Sequence, residues 1–151
     1  MTDVYSVARY VLQRLGGTLE ALKLQKLVYY CQAWSLAWNS RELFPQQIQA
    51  WAQGPVCRPL YDKHARQFKV NMSDVGGNEL ALEQQRLVDR VLKFYGPMTS
   101  EQLRDLTHSE EPWVWTRRQA GAVEGDRCEA IIEPALMERY YRDLAARAAT
   151  T

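Results

Sequence analysis

The stretch from about residue 19 to residue 38 constrains this chain more than any other, because apolar side chains surround it almost completely. Leu24, Leu27, Val28, Cys31, Ser35 and Trp38 fall on one face at helical spacing, and Tyr30, Trp34 and Ala37 broaden that face. A helix that is apolar nearly all round has to lie inside, with other elements packed about it. Asn39-Ser40-Arg41 carries the turn chemistry that ends it. The expected fold is therefore mainly α: a compact multi-helix domain around this central helix, with one or two short β-strands. The chain has 151 residues and 46% hydrophobic content, enough for a single domain over 1–151 whose core needs neither disulfide nor metal.

The flanking segments fill in that plan. Asp3 is a helix cap followed by Val4, Val7, Ala8, Val11, Leu12 and Leu15 on one stripe, and Gly16-Gly17 stops it. From Gln46 to Gln53 the period changes to two, with Ile48, Ala50 and Ala52 alternating against Gln47, Gln49 and Trp51, which predicts a short strand. Its partner is either the piece near Phe68–Met72 or the one near Ile131-Ile132. Pro59 opens a helix through Leu60, Tyr61, Ala65 and Phe68, and residues 73–79 form a loop. A helix carrying Leu80, Leu87, Val88, Val91, Leu92 and Tyr95 ends at Gly96-Pro97. Thr99 and Gln102 then make a capping box, a short helix starts near Pro112, residues 121–128 read as an exposed loop, and Pro134 begins the last helix.

Charge and chemistry narrow the function. Nineteen basic against eighteen acidic side chains leave a net charge of +1, which gives no global attraction to nucleic acid or an anionic membrane. No apolar run approaches the roughly 20 residues of a membrane span, and Met1-Thr2-Asp3 lacks a secretory pattern, which points to the cytosol. Cys31, Cys57 and Cys128 read as reduced thiols, and His64 and His108 stand without a second soft ligand at metal spacing. Cys57 with His64 is the nearest approach to a thiol enzyme, yet side chains two helical turns apart lie roughly 10 Å from each other, too far for proton transfer. Glu110-Glu111 before Pro112 complements the positive end of a helix. Trp113 and Trp115 with Arg117 and Arg118 form a basic, aromatic cluster. With a neutral chain this cluster fits inward packing and helix capping, or contact with a protein, better than single-stranded nucleic acid. No catalytic residue, cofactor or metal is expected.

Three stretches belong together: Leu22 to Tyr30 running on to Trp34, with Lys23, Leu24, Lys26, Leu27 and Tyr30; Ile48 to Val56 followed by Leu60-Tyr61, with Gly54, Pro55 and Val56; and Leu103 to His108 leading to Pro112-Trp113. In this order and spacing they resemble the Panacea domain, the family of the GepA-like prophage proteins and SocA-like antitoxins, from about Val4 to Leu144. The resemblance implies an antitoxin that binds a cognate toxin encoded in the same operon, or an adaptor that delivers it to a Clp-type protease. It also implies that one kind of domain meets unrelated toxins, so the partner is not readable from it. An appended DNA-binding segment, present in some relatives, is not expected. Leu24, Leu27 and Val28 are read as core, Gly54-Pro55-Val56 as a tight turn from strand to helix, and Trp113 as a lock on the late helices. Lys23 and Lys26 either snorkel over the apolar stripe or face a partner. The expected partner contacts are Lys23, Lys26, Trp51, Trp115, Arg117 and Arg118.

Overall fold

In the computed structural model, which describes residues 1–149, the first helix begins where its cap dictates. The Asp3 carboxylate accepts the Ser6 N–H at 2.8 Å and so satisfies the first turn of α1 (Val4–Arg14), whose buried face carries Val4, Val7, Ala8, Val11 and Leu12. Past the Gly16-Gly17 stop, Leu19 and Glu20, expected at the start of the central helix, instead join Thr18 in β1 (Thr18–Glu20) ahead of α2 (Ala21–Asn39). The cause is long-range: Leu19 pairs with Val70 in a strand over Lys69–Asn71, and the Ala21 N–H continues the ladder to the Phe68 carbonyl.

From Leu24 to Ala37 every residue of α2 is buried, so the expectation of a central helix holds. Polar side chains within that run each have a partner, as burial requires. Gln32 accepts the Leu43 N–H and donates to the Phe44 carbonyl, both at 2.7 Å, and Ser35 donates to the Arg41 carbonyl, which folds the chain back after the helix ends at Ser40 in left-handed conformation.

The predicted alternation appears in β2 (Ile48–Trp51), where Ile48 and Ala50 are buried and Gln49 and Trp51 half-buried. Its main partner is neither expected segment but β3 (Gly54–Cys57), read from the sequence as a turn. Proline is tolerated there because Pro55 faces Ala50, whose N–H points the other way, to the Ala130 carbonyl at 2.9 Å. Ile131 bridges Gln49 on that outer edge of β2, so one of the two expected partners is present in a minor role. The other, Phe68–Met72, supplies β4 (Lys69–Asn71), the partner of β1.

Helix α3 (Arg58–His64) starts around Pro59 but stops before Phe68, which is 71% exposed rather than on a buried face. Part of the expected loop is α4 (Met72–Val75), closed by a capping box in which Asp74 accepts the Asn71 N–H at 2.8 Å. α5 (Leu82–Tyr95) and α6 (Ser100–His108) follow, the latter with the predicted Thr99–Gln102 box. α7 (Glu111–Gln119) has Pro112 in its first turn, and α8 (Pro134–Ala149) lies along α2. There Arg142 donates to Ser40 Oγ at 2.7 Å beside the α2 carbonyls of Leu36 and Ala37, holding the C-terminal end of the central helix. Among the described residues, helices dominate and the four strands form two small antiparallel sheets.

Candidate protein-binding site

The side chains that carry the three sequence stretches converge on the backbone of the β2–β3 hairpin. Lys26 has no exposed surface, and its Nζ donates to the Pro55 carbonyl at 3.0 Å. The adjacent Gly54 sits at φ +116°, and a Cβ there would lie 2.5 Å from Lys26 Cε, so both backbone and space demand glycine. One residue before Lys26 in α2's buried run, Gln25 brackets Cys57, accepting its N–H at 2.9 Å and donating to its carbonyl at 3.3 Å. From the opposite side, Trp113 Nε1 donates to the Trp51 carbonyl at 2.8 Å and Arg117 Nη1 to the Ala50 carbonyl at 3.0 Å. His108 stacks flat on Trp113, with ring centroids 3.9 Å apart. The hairpin is thus held by α2 and by α7.

Electrostatics follow from this burial. Desolvation, with the Arg104 charge adding, pulls Lys26 down to about 7 from its ordinary 10.5. His108 is pushed down by burial and by Lys26 and Arg104, with the Gln53 backbone opposing. At neutral pH its imidazole is therefore chiefly uncharged, which suits a ring packed face to face on an indole.

The expected contact residues divide into two groups. Lys26 and Arg117 are buried, and their donors go to carbonyls of the hairpin and, for Arg117, also to Val123 and Asp126 at 3.0 and 2.9 Å. The Arg117 side chain therefore ties down the 121–128 loop at Val123 and Asp126 rather than capping its own helix. Lys23 is half-buried and donates to the Gly96 carbonyl at 2.7 Å, past the end of α5. Trp51 is half-buried, its ring edge-on to Tyr61 at 4.9 Å. Trp115 and Arg118, one turn apart, lie on the exposed side of α7, with Trp115 42% exposed. Beside them a cleft of about 540 Å3 runs between α7 and the following loop, lined by Val114, Arg118 and Val123 among others. Of the family-signature residues, Leu24, Leu27, Tyr30, Gly54, Pro55, Val56 and Pro112 are buried, and His108 and Trp113 half-buried.

Glu110 stands at the N-cap of α7, the helix end expected for it, but its side chain makes no cap bond and lies inside. It is 5% exposed and accepts both the Tyr30 hydroxyl at 2.7 Å and the Tyr141 hydroxyl at 2.8 Å, joining α2, α7 and α8. Burial raises its carboxyl above the ordinary range against the pull of those two hydroxyls. Nothing in local spacing marks this role, since the tyrosines lie 80 and 31 residues away. Gln25 is likewise unmarked by local spacing; its place among residues that are buried all round the helix is the one signal that it has a buried partner.

The thiol alternative meets an unfavourable setting. Gln25 Nε2 stands 3.0 Å from His64 Nε2, so the imidazole is engaged with the amide that also holds the Cys57 backbone. Burial pushes the Cys57 thiol up to about 12, leaving almost none of the thiolate a nucleophile needs at neutral pH. Among the described residues no group of three or more His, Cys, Asp or Glu side chains is placed to hold a metal ion, and no helix is long and apolar enough to cross a membrane.

Residues 24–114 match the family described as Antitoxin SocA-like, Panacea domain. The chain belongs to this family. No curated protein and no solved structure matches it. The Panacea match is narrower than the resemblance read from the sequence: it takes in most of α2, the hairpin, α5, α6 and the first residues of α7, and leaves out α1, α8, Trp115, Arg117 and Arg118. Lys26, Gly54, His108 and Trp113, which meet around the hairpin, lie inside it. The family role is that of an antitoxin, which presupposes a toxin as partner.

Proposed function

We propose that this Panacea-domain protein neutralises a toxin encoded in its own operon by binding it directly. Membership in the SocA-like antitoxin family carries the reading. The contacts assigned to it are Trp115 and Arg118, exposed on α7, and the half-buried Trp51 on the hairpin and Lys23 near the start of α2. Exposed tryptophan beside arginine is the pairing that protein interfaces favour. The clamp on the hairpin supports the same reading, since a surface already held in shape loses little freedom when a partner docks.

Co-expression with the product of the neighbouring reading frame tests this. The product alone should arrest growth, the pair should grow, and the two proteins should co-elute on size exclusion. Trp115→Ala and Arg118→Glu should each weaken binding by about 1–2 kcal/mol, roughly five- to thirtyfold, with the fold unchanged by circular dichroism. Rescue that persists in a strain lacking Clp proteases separates direct neutralisation from delivery to a protease. A harmless product, or the absence of a complex, ends the antitoxin–operon reading.

A further inference from the structure

A second cleft, of about 430 Å3, lies between the turn end of the hairpin, the start of α3 and residues 125–129. Its aromatic wall is the Trp51–Tyr61 pair, with ring centroids 4.9 Å apart. Its polar rim is Arg58, Arg127 and Glu129. Both guanidiniums bond the same carboxylate oxygen, Glu129 Oε1, at 3.0 and 2.9 Å, and they hold that carboxyl below its ordinary range. Two cations thus share one anion. The side chains of Arg58 and Arg127 are 45% and 86% exposed, so the surplus positive charge faces the solvent at the mouth of the cleft.

We propose that this cleft receives an acidic segment of the toxin, with an apolar or aromatic side chain laid on Trp51 and Tyr61 and a neighbouring carboxylate taken up by Arg58 and Arg127. The proposal rests on the antitoxin reading for the identity of the partner. Three observations carry it. A guanidinium pair with one counter-charge is completed by a second carboxylate, which arginine binds in forked, two-point geometry. An aromatic wall next to that rim gives the segment an apolar anchor, so that charge supplies the register and the buried ring the adhesion. The wall does not have to form on binding: the Trp51 and Pro55 carbonyls are already fastened by Trp113 and Lys26. A phosphate backbone is a poorer fit, because a surplus of one charge beside Glu129, in a chain of net charge +1, offers no track for successive phosphates.

Fifteen-residue peptides tiling the product of the neighbouring reading frame, together with the whole product, are the probes. Peptides that combine acidic and apolar residues should bind the full chain and shift the Trp51 indole N–H resonance, while that of buried Trp34 stays in place. Binding should weaken with added salt. The Arg58→Gln/Arg127→Gln double variant should lose at least tenfold in affinity for the whole product and most of the salt dependence. Arg58→Lys/Arg127→Lys, which keeps charge but not the fork, should fall between. If the whole product binds wild type and the glutamine double variant equally well, the cleft assignment is wrong and the antitoxin reading stands. If the wild-type chain forms no complex, both fall. Displacement of the bound peptide by a single-stranded 20-nucleotide oligomer at physiological salt would overturn the choice of an acidic segment.

Discussion

Lys26 shows how much a single side chain depends on what surrounds it. Folded, its amine gives up a proton near pH 7, whereas in the unfolded chain it holds one up to about 10.5. Between those values the unfolded state binds more protons, so this residue makes stability rise with pH across that window and fall as pH drops through 7. Lys26→Met keeps the length of the side chain and removes the charge. Relative to this variant, the wild type should gain stability as pH rises from 6 to 9, read as urea midpoints of both proteins at each pH. The comparison cancels the titration of the buried tyrosines and cysteines common to the two. A difference that does not vary with pH would remove Lys26 from the account. The same residue marks a limit of legibility: lysine flanking an apolar stripe is compatible with snorkelling or a partner contact, and only the Pro55 carbonyl, 29 positions on, draws it inside.

Among elements, α8 depends on one buried carboxylate. Glu110 receives hydroxyls from α2 and α8, and Tyr29 adds a 3.0 Å bond to Tyr141, so three helices meet at a single polar knot inside an apolar core. Glu110→Ala strands the buried Tyr30 hydroxyl and leaves Tyr141 only its bond to Tyr29, and should cost about 1–3 kcal/mol in urea unfolding, with hydrogen exchange in α8 rising first. Glu110→Gln retains an acceptor and should cost less. Because the folded carboxyl titrates above its ordinary 4.5, wild-type stability relative to Glu110→Gln should decline as pH rises through the window just above that value. The elements that were legible in advance are those with local signals: Asp3 capping α1, the Thr99–Gln102 box of α6, and the even burial of α2. Those missed are three or four residues long: β1 and β3 are set by strand pairing, and α4 is a single turn whose Asn71–Asp74 box is local but sits among turn-forming residues. Gly54-Pro55 looks like a turn because glycine at positive φ and proline commonly make one. Here the residues enter a strand because a lysine passes over the first and the ladder asks no N–H of the second.

At the scale of the molecule, α2 touches α1, α5, α6, α8 and the hairpin, so no group of elements has a core without it. Thermal unfolding should therefore be a single transition with coincident far-ultraviolet and tryptophan-fluorescence midpoints, and Leu27→Ala in α2 should lower both together. Separate midpoints would mean that the hairpin and late helices unfold on their own. The sequence by itself determined the mainly helical class, the central helix with its apolar surround, and the signature by which the antitoxin family is recognised. These rest on periodicity, caps and short motifs, which are local. Only the tertiary structure decided which of the six expected contacts remain at the surface. Trp115 and Arg118 are outside, whereas Lys26 and Arg117 are spent on the hairpin carbonyls. The physical reason is that a long basic side chain is stable in water or against buried carbonyls, and the choice between them is made by residues brought close only by folding.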